Sequence, residues 1–243
     1  METIVLASAS PRRQAFFELL DLPFVCVPAM IDETPPEGMT PKETAEHLAL
    51  RKAMSVAQTL ENSLQKISRQ DAETPRIRGA PKKQPYLRVA NRRFDASSRE
   101  DNGERFSAKN KRWVLGADTV VTLDGEILGK PACLQEARLM LQRLSGRRHE
   151  VITAMALVDM HKDSRPADCC SVSSLVEFAP LSEADIEWYL AKGEWEGAAG
   201  GYRLQECGAC MIQSVQGSPS AVAGLPLREL YAMLKHNGYQ FGA

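Results

Sequence analysis

At 243 residues, with 44% hydrophobic and 25% charged residues, the chain has room for a substantial core and the composition of a soluble globular protein. Its formal net charge of −1 hides an asymmetry. Residues 63–112 hold 14 Lys+Arg against 6 Asp+Glu, a net of +8, which leaves −9 on the remainder. No apolar run approaches the roughly 20 residues that cross a bilayer. The N-terminal arginine pair follows an apolar run instead of preceding it, the reverse of a secretory signal. The expected location is the cytoplasm, where the six cysteines are expected as reduced thiols.

In chain order, Thr3–Ala7 predicts a buried strand. Ser10 then reads as an N-cap with Pro11 in first helical position, and Ala15, Phe16, Leu19 and Leu20 as the helix's apolar face. Phe24–Val27 reads as a second strand. Thr40-Pro41-Lys42-Glu43 is a capping box opening a helix to about Leu60. The segment at about 63–111 has few large apolar residues, prolines clustered between 74 and 85, and no sustained period, and reads as a basic, flexible insertion. Without Gly/Arg repeats or interleaved aromatics, it is not expected to bind nucleic acid.

Two short strands are predicted at Trp113–Ala117 and Val120–Leu123, around Asp118-Thr119, with a hairpin turn at Asp124-Gly125. A helix is predicted over Leu134–Leu144, on the spacing of Ala137, Met140, Leu141 and Leu144. Val151–Val158, Ser171–Phe178 and Met211–Val215 read as strands, with a helix opening at Ser182 and a last one over Leu225–His236. Strands and helices alternate, so the fold class is α/β.

Ser8-Ala9-Ser10-Pro11-Arg12-Arg13 joins a strand end to a helix start with two hydroxyls and two guanidiniums. Helix N-termini present unpaired N–H groups and partial positive charge, and arginine fits phosphate oxygens. The segment is therefore a candidate anion site. Asp118 is suited to bind a divalent metal, to orient a water, or to cap its own turn. Asp32, Glu33, Lys52 and Lys130 complete the cations and carboxylates that phosphoanhydride cleavage requires. Cys207-Gly208-Ala209-Cys210 has no partner motif, and it and Cys169-Cys170 read as packed thiols.

Six ordered blocks give the chain its resemblance to a known family. They are Leu6–Arg13, Gly116–Val121, Gly129-Lys130-Pro131, Leu144-Ser145-Gly146 with His149 and Val151-Ile152-Thr153, Gly201–Gln205, and Gly224–Leu227. Together they resemble the Maf family of nucleoside triphosphate pyrophosphatases over about residues 1–60 and 112–238. The resemblance implies one elongated domain like that of Maf and inosine triphosphatase enzymes, spanning 1–243. A mixed central sheet would be flanked by helices beside an active-site cleft, and the molecule would be a homodimer. It implies cleavage between the α and β phosphates with Mg²⁺ or Mn²⁺ as cofactor. Asp118 would accept the proton, and Glu33 with Asp118 would hold the metal. Ser8, Ser10, Arg12, Arg13, Lys52 and Lys130 would hold the phosphates. Arg12, Thr119 and Gln205 would mark the branch acting on dTTP and UTP, including modified pyrimidines. Glu206 stands where the family usually has glycine. The competing reading is a nucleotide-sensing or partner-binding regulator of septum formation and cell division.

Overall fold

The computed structural model describes residues 1–73, 112–161 and 167–242. Strand β1 (Ile4–Leu6) leads into helix α1 (Pro11–Leu19), followed by β2 (Phe24–Cys26) and the long α2 (Pro41–Glu73). Then come β3 (Trp113–Leu123), β4 (Glu126–Leu128), α3 (Leu134–Leu144), β5 (Arg148–Asp159) and β6 (Ala167–Phe178). The chain continues through α4 (Glu183–Leu190), β7 (Ile212–Gln216), α5 (Pro219–Val222) and α6 (Leu227–His236). Among the described residues the strands form one mixed sheet in the order β2-β1-β3-β5-β6-β7, with β4 extending the far end of β3. β1 runs parallel to both its neighbours, and every other pairing is antiparallel. The predicted class, α/β with helices flanking a mixed sheet, is the observed one.

Side chains alternate across a strand, so each strand serves two layers. Val114 and Val120 of β3 join Val5, Ile152, Ala154, Ala156 and Val158 on one face, which packs against Ala45, Ala49, Ala53, Val56, Ala57 and Leu60 of α2. Trp113, Leu115 and Ala117 face the other way, with Ile4, Leu6, Met155 and Leu157, onto Phe17 of α1 and Leu230, Met233 and Leu234 of α6. Farther along that face Val121, Leu123, Val151 and Val176 pack with Leu141 and Leu144 of α3 and Ile186 and Tyr189 of α4. The alanine stripe brings α2 unusually close: a Cβ on Gly116 would lie 2.2 Å from the Ala49 carbonyl oxygen and 2.7 Å from the Ala53 nitrogen.

Several expectations are met locally. The Thr40/Glu43 capping box is reciprocal, with Thr40 N donating to Glu43 and Glu43 N to Thr40 Oγ1. Asp124 (φ 53°) and Gly125 (φ 82°) make the two-residue hairpin turn with both residues left-handed. α3 and its four buried positions fall where the spacing put them.

Other expectations are corrected. α2 does not stop near Leu60 but runs to Glu73, so the start of the basic insertion is helical. No proline or glycine interrupts the sequence between Pro41 and Pro75, and nothing local forces an earlier end. The rest of that insertion lies outside the described residues. The two strands expected around Asp118 are one, because the pairing with β5 continues unbroken through Asp118↔Ala154 and Thr119↔Thr153. α1 buries Arg13 and Phe17, whereas Ala15, Leu19 and Leu20 are exposed, because Arg13 finds hydrogen-bond partners inside. The last helix begins at Leu227, after the separate turn of α5. Of the four cysteines expected as packed thiols, Cys170 and Cys207 are half-buried and pack against the core, whereas Cys169 and Cys210 are exposed. Among the described residues no helix is long and apolar enough to cross a membrane.

Candidate active site

β1 pairs with β3 only as far as Leu6↔Leu115, and β4 takes over at Val121↔Leu128. Between them this edge of β3 is open, and a cleft of about 430 Å³ occupies the gap. The sheet's own topology therefore creates the site: one strand ends, and the chain leaving it at Ala7 turns away into α1 beside the exposed edge. Asp118 and Thr119 sit in that gap and, being consecutive, point to opposite faces. Ser8, Ser10, Arg12, Arg13, Glu33, Lys52, Asp118, Thr119 and Lys130, all predicted from sequence, line this one cleft.

On the α2 face Lys52 is nearly buried, and its Nζ donates to Asp118 Oδ1 at 2.6 Å and contacts Glu33 Oε1 at 2.8 Å. Lys130, just beyond β4, reaches Glu33 Oε2 at 2.9 Å. The result is an alternating chain of two carboxylates and two ammoniums. Partial burial opposes ionisation of Glu33, but the hydrogen bonds from Lys52 and Lys130 outweigh it and hold its pKa down to about 2.

On the other face Arg13 is buried. Its Nε donates to the Gly224 carbonyl at 2.9 Å, Nη1 to Ser8 Oγ at 3.3 Å and Nη2 to Thr119 Oγ1 at 3.2 Å. Burial lowers its pKa to about 10, with Asp118 opposing that shift, so it stays charged at neutral pH. Thr153 Oγ1 donates its only proton to the Ala221 carbonyl at 2.7 Å. Thr119 must then donate to Thr153, 3.0 Å away, and accept from Arg13. A directed relay thus fixes Arg13, Thr119, Thr153 and α5 to one another; Thr153 stands in one of the six blocks, but nothing local assigns it this contact.

Ser10 occupies the N-cap position with Pro11 behind it, but its hydroxyl makes no capping bond. Its backbone N–H instead donates to Ser8 Oγ at 3.1 Å. Arg12 has no hydrogen bond or salt bridge among the described residues, and burial followed by the neighbouring Arg203 lowers its pKa. Two predicted residues fall elsewhere: Gln205 is exposed, is not among the cleft's lining residues and donates to Glu206 at 3.4 Å, and Asp32 is exposed and accepts from the Thr34 backbone N–H at 2.9 Å in a local turn. Arg203, Glu206 and Glu196 line the cleft in that region instead. Their neighbours in sequence carry no periodic signal, because this stretch is a 3₁₀ turn and loop. Tyr202 closes the cleft's floor, and its hydroxyl lies 2.7 Å from Nε2 of the buried His149. Burial pushes the His149 pKa down to about 4.

Two acid-sensitive limbs follow. A depressed folded-state pKa means that the unfolded chain takes up the proton first, so stability is whole above the unfolded value and is lost as pH falls. For His149 the loss runs from 6.5 down to about 4, and for Glu33 from 4.5 down to about 2. Urea unfolding followed against pH is expected to show both windows, with His149→Gln flattening the upper and Glu33→Gln the lower. Unchanged slopes in these variants would contradict the assignment.

Among the described residues no group of three or more His, Cys, Asp or Glu side chains stands ready to hold a metal ion by itself. Residues 3–237 match the family model described as Maf-like protein. A dTTP/UTP pyrophosphatase of Pelotomaculum thermopropionicum is 37% identical over 239 residues, covering 98% of this chain and 98% of the relative. Proteins of the same name from Symbiobacterium thermophilum and Clostridioides difficile are 34% and 36% identical, covering 98% and 96% of this chain and 96% and 93% of the relatives. With the family model matched across nearly the whole chain and relatives aligned end to end, this chain belongs to the Maf family.

Proposed function

We propose that the cleft hydrolyses nucleoside triphosphates between the α and β phosphates, with dTTP and UTP as preferred substrates, yielding a monophosphate and pyrophosphate. The observation that carries this reading is the Lys52-bridged pair of Asp118 and Glu33, set beside the Ser8–Arg13 helix start. The dTTP/UTP pyrophosphatases among its relatives support the substrate class.

In the mechanism, the N–H groups at the start of α1, with Ser8, Ser10, Arg12 and Arg13, receive phosphate oxygens. Lys52 and Lys130 add charge at the opposite wall. Lys52 holds Asp118 by Oδ1 and leaves Oδ2 without a hydrogen bond among the described residues. That oxygen accepts a proton from the water attacking the α-phosphorus, and the pyrophosphate leaves as the new P–O bond forms. The donor set fits a divalent cation shared with substrate: Mg²⁺ keeps several waters and takes one or two carboxylates plus phosphate oxygens. Glu33 and Asp118 would hold Mg²⁺ or Mn²⁺, which when bound neutralises charge developing on the phosphates.

The reading takes the whole chain as one such domain interrupted by the basic segment at about 63–111, homodimeric and cytoplasmic, for which sedimentation and cell fractionation are the tests. The activity test is direct: UTP or dTTP with Mg²⁺ or Mn²⁺ is expected to release pyrophosphate. Release of orthophosphate instead, or no turnover across a panel of nucleotides, would overturn it.

A further inference from the structure

We propose that Arg203 and Glu206 together read the base, selecting a ring edge that offers an N–H beside a carbonyl, as uracil and thymine do. The proposal rests on the pyrophosphatase reading and deepens it.

Both residues line the cleft, whereas Gln205 between them points out to solvent. Arg203 is held firmly. Its Nη2 donates to the Glu196 carbonyl at 2.7 Å, its Nη1 lies 3.3 and 3.4 Å from the two Glu206 oxygens, and its own backbone N–H donates to Tyr189 Oη at 3.1 Å. The turn behind it packs closely, since a Cβ on Gly208 would lie 2.4 Å from the Arg203 carbonyl oxygen. Arg203 Nε is buried and lacks a hydrogen-bond partner among the described residues. A buried, unpaired N–H is costly, so the protein by itself leaves this guanidinium incompletely satisfied.

The position in the cleft favours a base over a phosphate. Arg203 and Glu206 line the same cleft as Asp118, Arg13 and Arg12, and both act on the charge of Arg12, so the pair lies at the Arg12 end of the cleft. A carboxylate at that end repels phosphate oxygens. It is a good acceptor for an imide N–H, and the guanidinium beside it is a good donor to the adjacent carbonyl. Cytosine reverses both groups, setting its N3 lone pair against Glu206 and its amino group against Arg203. A site built for one pattern leaves buried polar groups unpaired with the other, and a two-bond mismatch of this kind changes affinity by about tenfold or more.

The test is calorimetric binding of UMP and CMP to the full chain, with UTP and CTP hydrolysis measured alongside. The native protein is expected to bind UMP at least about tenfold more tightly than CMP. Glu206→Ala and Arg203→Met are each expected to bring the ratio to about twofold or less. Glu206→Gln is expected to narrow it by strengthening CMP, since its amide can donate to N3; a merely structural role for Glu206 would not do this. Glu206 is at the surface of its turn, so its variants stay informative even where Arg203→Met fails to fold. A native protein without preference, an unchanged ratio in Glu206→Ala, or a ratio that collapses instead in Gln205→Ala would overturn the proposal. Base discrimination without hydrolysis would sink the pyrophosphatase reading alone, and hydrolysis with an unchanged ratio would sink the base reading alone.

Discussion

Asp118→Asn is expected to lower kcat by about 10³-fold while leaving the protein folded. The amide keeps the size of the carboxylate and can still accept from Lys52 Nζ, which also retains Glu33 at 2.8 Å. What is lost is the proton acceptor, and with it one negative charge. General-base contributions span about 10² to 10⁴ in rate, and removal of a cation-binding oxygen acts in the same direction. The measurement is single-turnover release of pyrophosphate from UTP, with thermal melting as the control for folding. A kcat within tenfold of the native value would remove Asp118 from the proposed mechanism, whatever the fate of the substrate assignment.

Gly116→Ala is expected to reduce stability and rate together. Gly116 lies two residues before Asp118 on the same face of β3 and directly beneath α2. The added Cβ would meet the Ala49 carbonyl oxygen at 2.2 Å and the Ala53 nitrogen at 2.7 Å, both backbone atoms that no rotamer change can move. Gly116 does not have positive φ, so the strain is entirely one of packing. Overpacking of this kind costs about 1–3 kcal/mol, and a chain of this size loses about 2–4 °C of Tm per kcal/mol. The helix must retreat by about 1 Å, and Lys52, between Ala49 and Ala53, retreats with it. Misplacements of that order lower rates by about 10²-fold. Calorimetric melting and steady-state kinetics on the same preparation check both halves. A variant that melts at the native temperature would show that α2 can yield without harm.

Much of the fold could be read locally. α3 was legible because Ala137, Met140, Leu141 and Leu144 repeat at helical spacing and a single face is buried. The Asp124-Gly125 hairpin was legible because both residues tolerate positive φ. The strand through Asp118 reads locally as two because a charged residue between apolar runs looks like a break. Lys52, 66 positions earlier, removes the need for one. The face of α1 is illegible locally for the same reason, since apolar Leu19 looks a better buried residue than Arg13. Arg13 is nonetheless inside, because Ser8, Thr119 and Gly224 meet three of its donors.

Residue type and local order by themselves determined the fold class, most of the elements, and nine of the eleven candidate site residues, now found around one cleft. Only the tertiary structure decided which of them touch. Lys52 bridges two carboxylates, Arg13 is committed to the framework while Arg12 makes no hydrogen bond or salt bridge among the described residues, and Gln205 lies off the cleft that Arg203 and Glu206 line. The reason is physical. Helical and strand periods, caps and turns are short-range and are written in neighbouring residues. The partner that satisfies a buried charge is brought from far along the chain by sheet register and helix packing, and neither leaves a mark on the sequence around that charge.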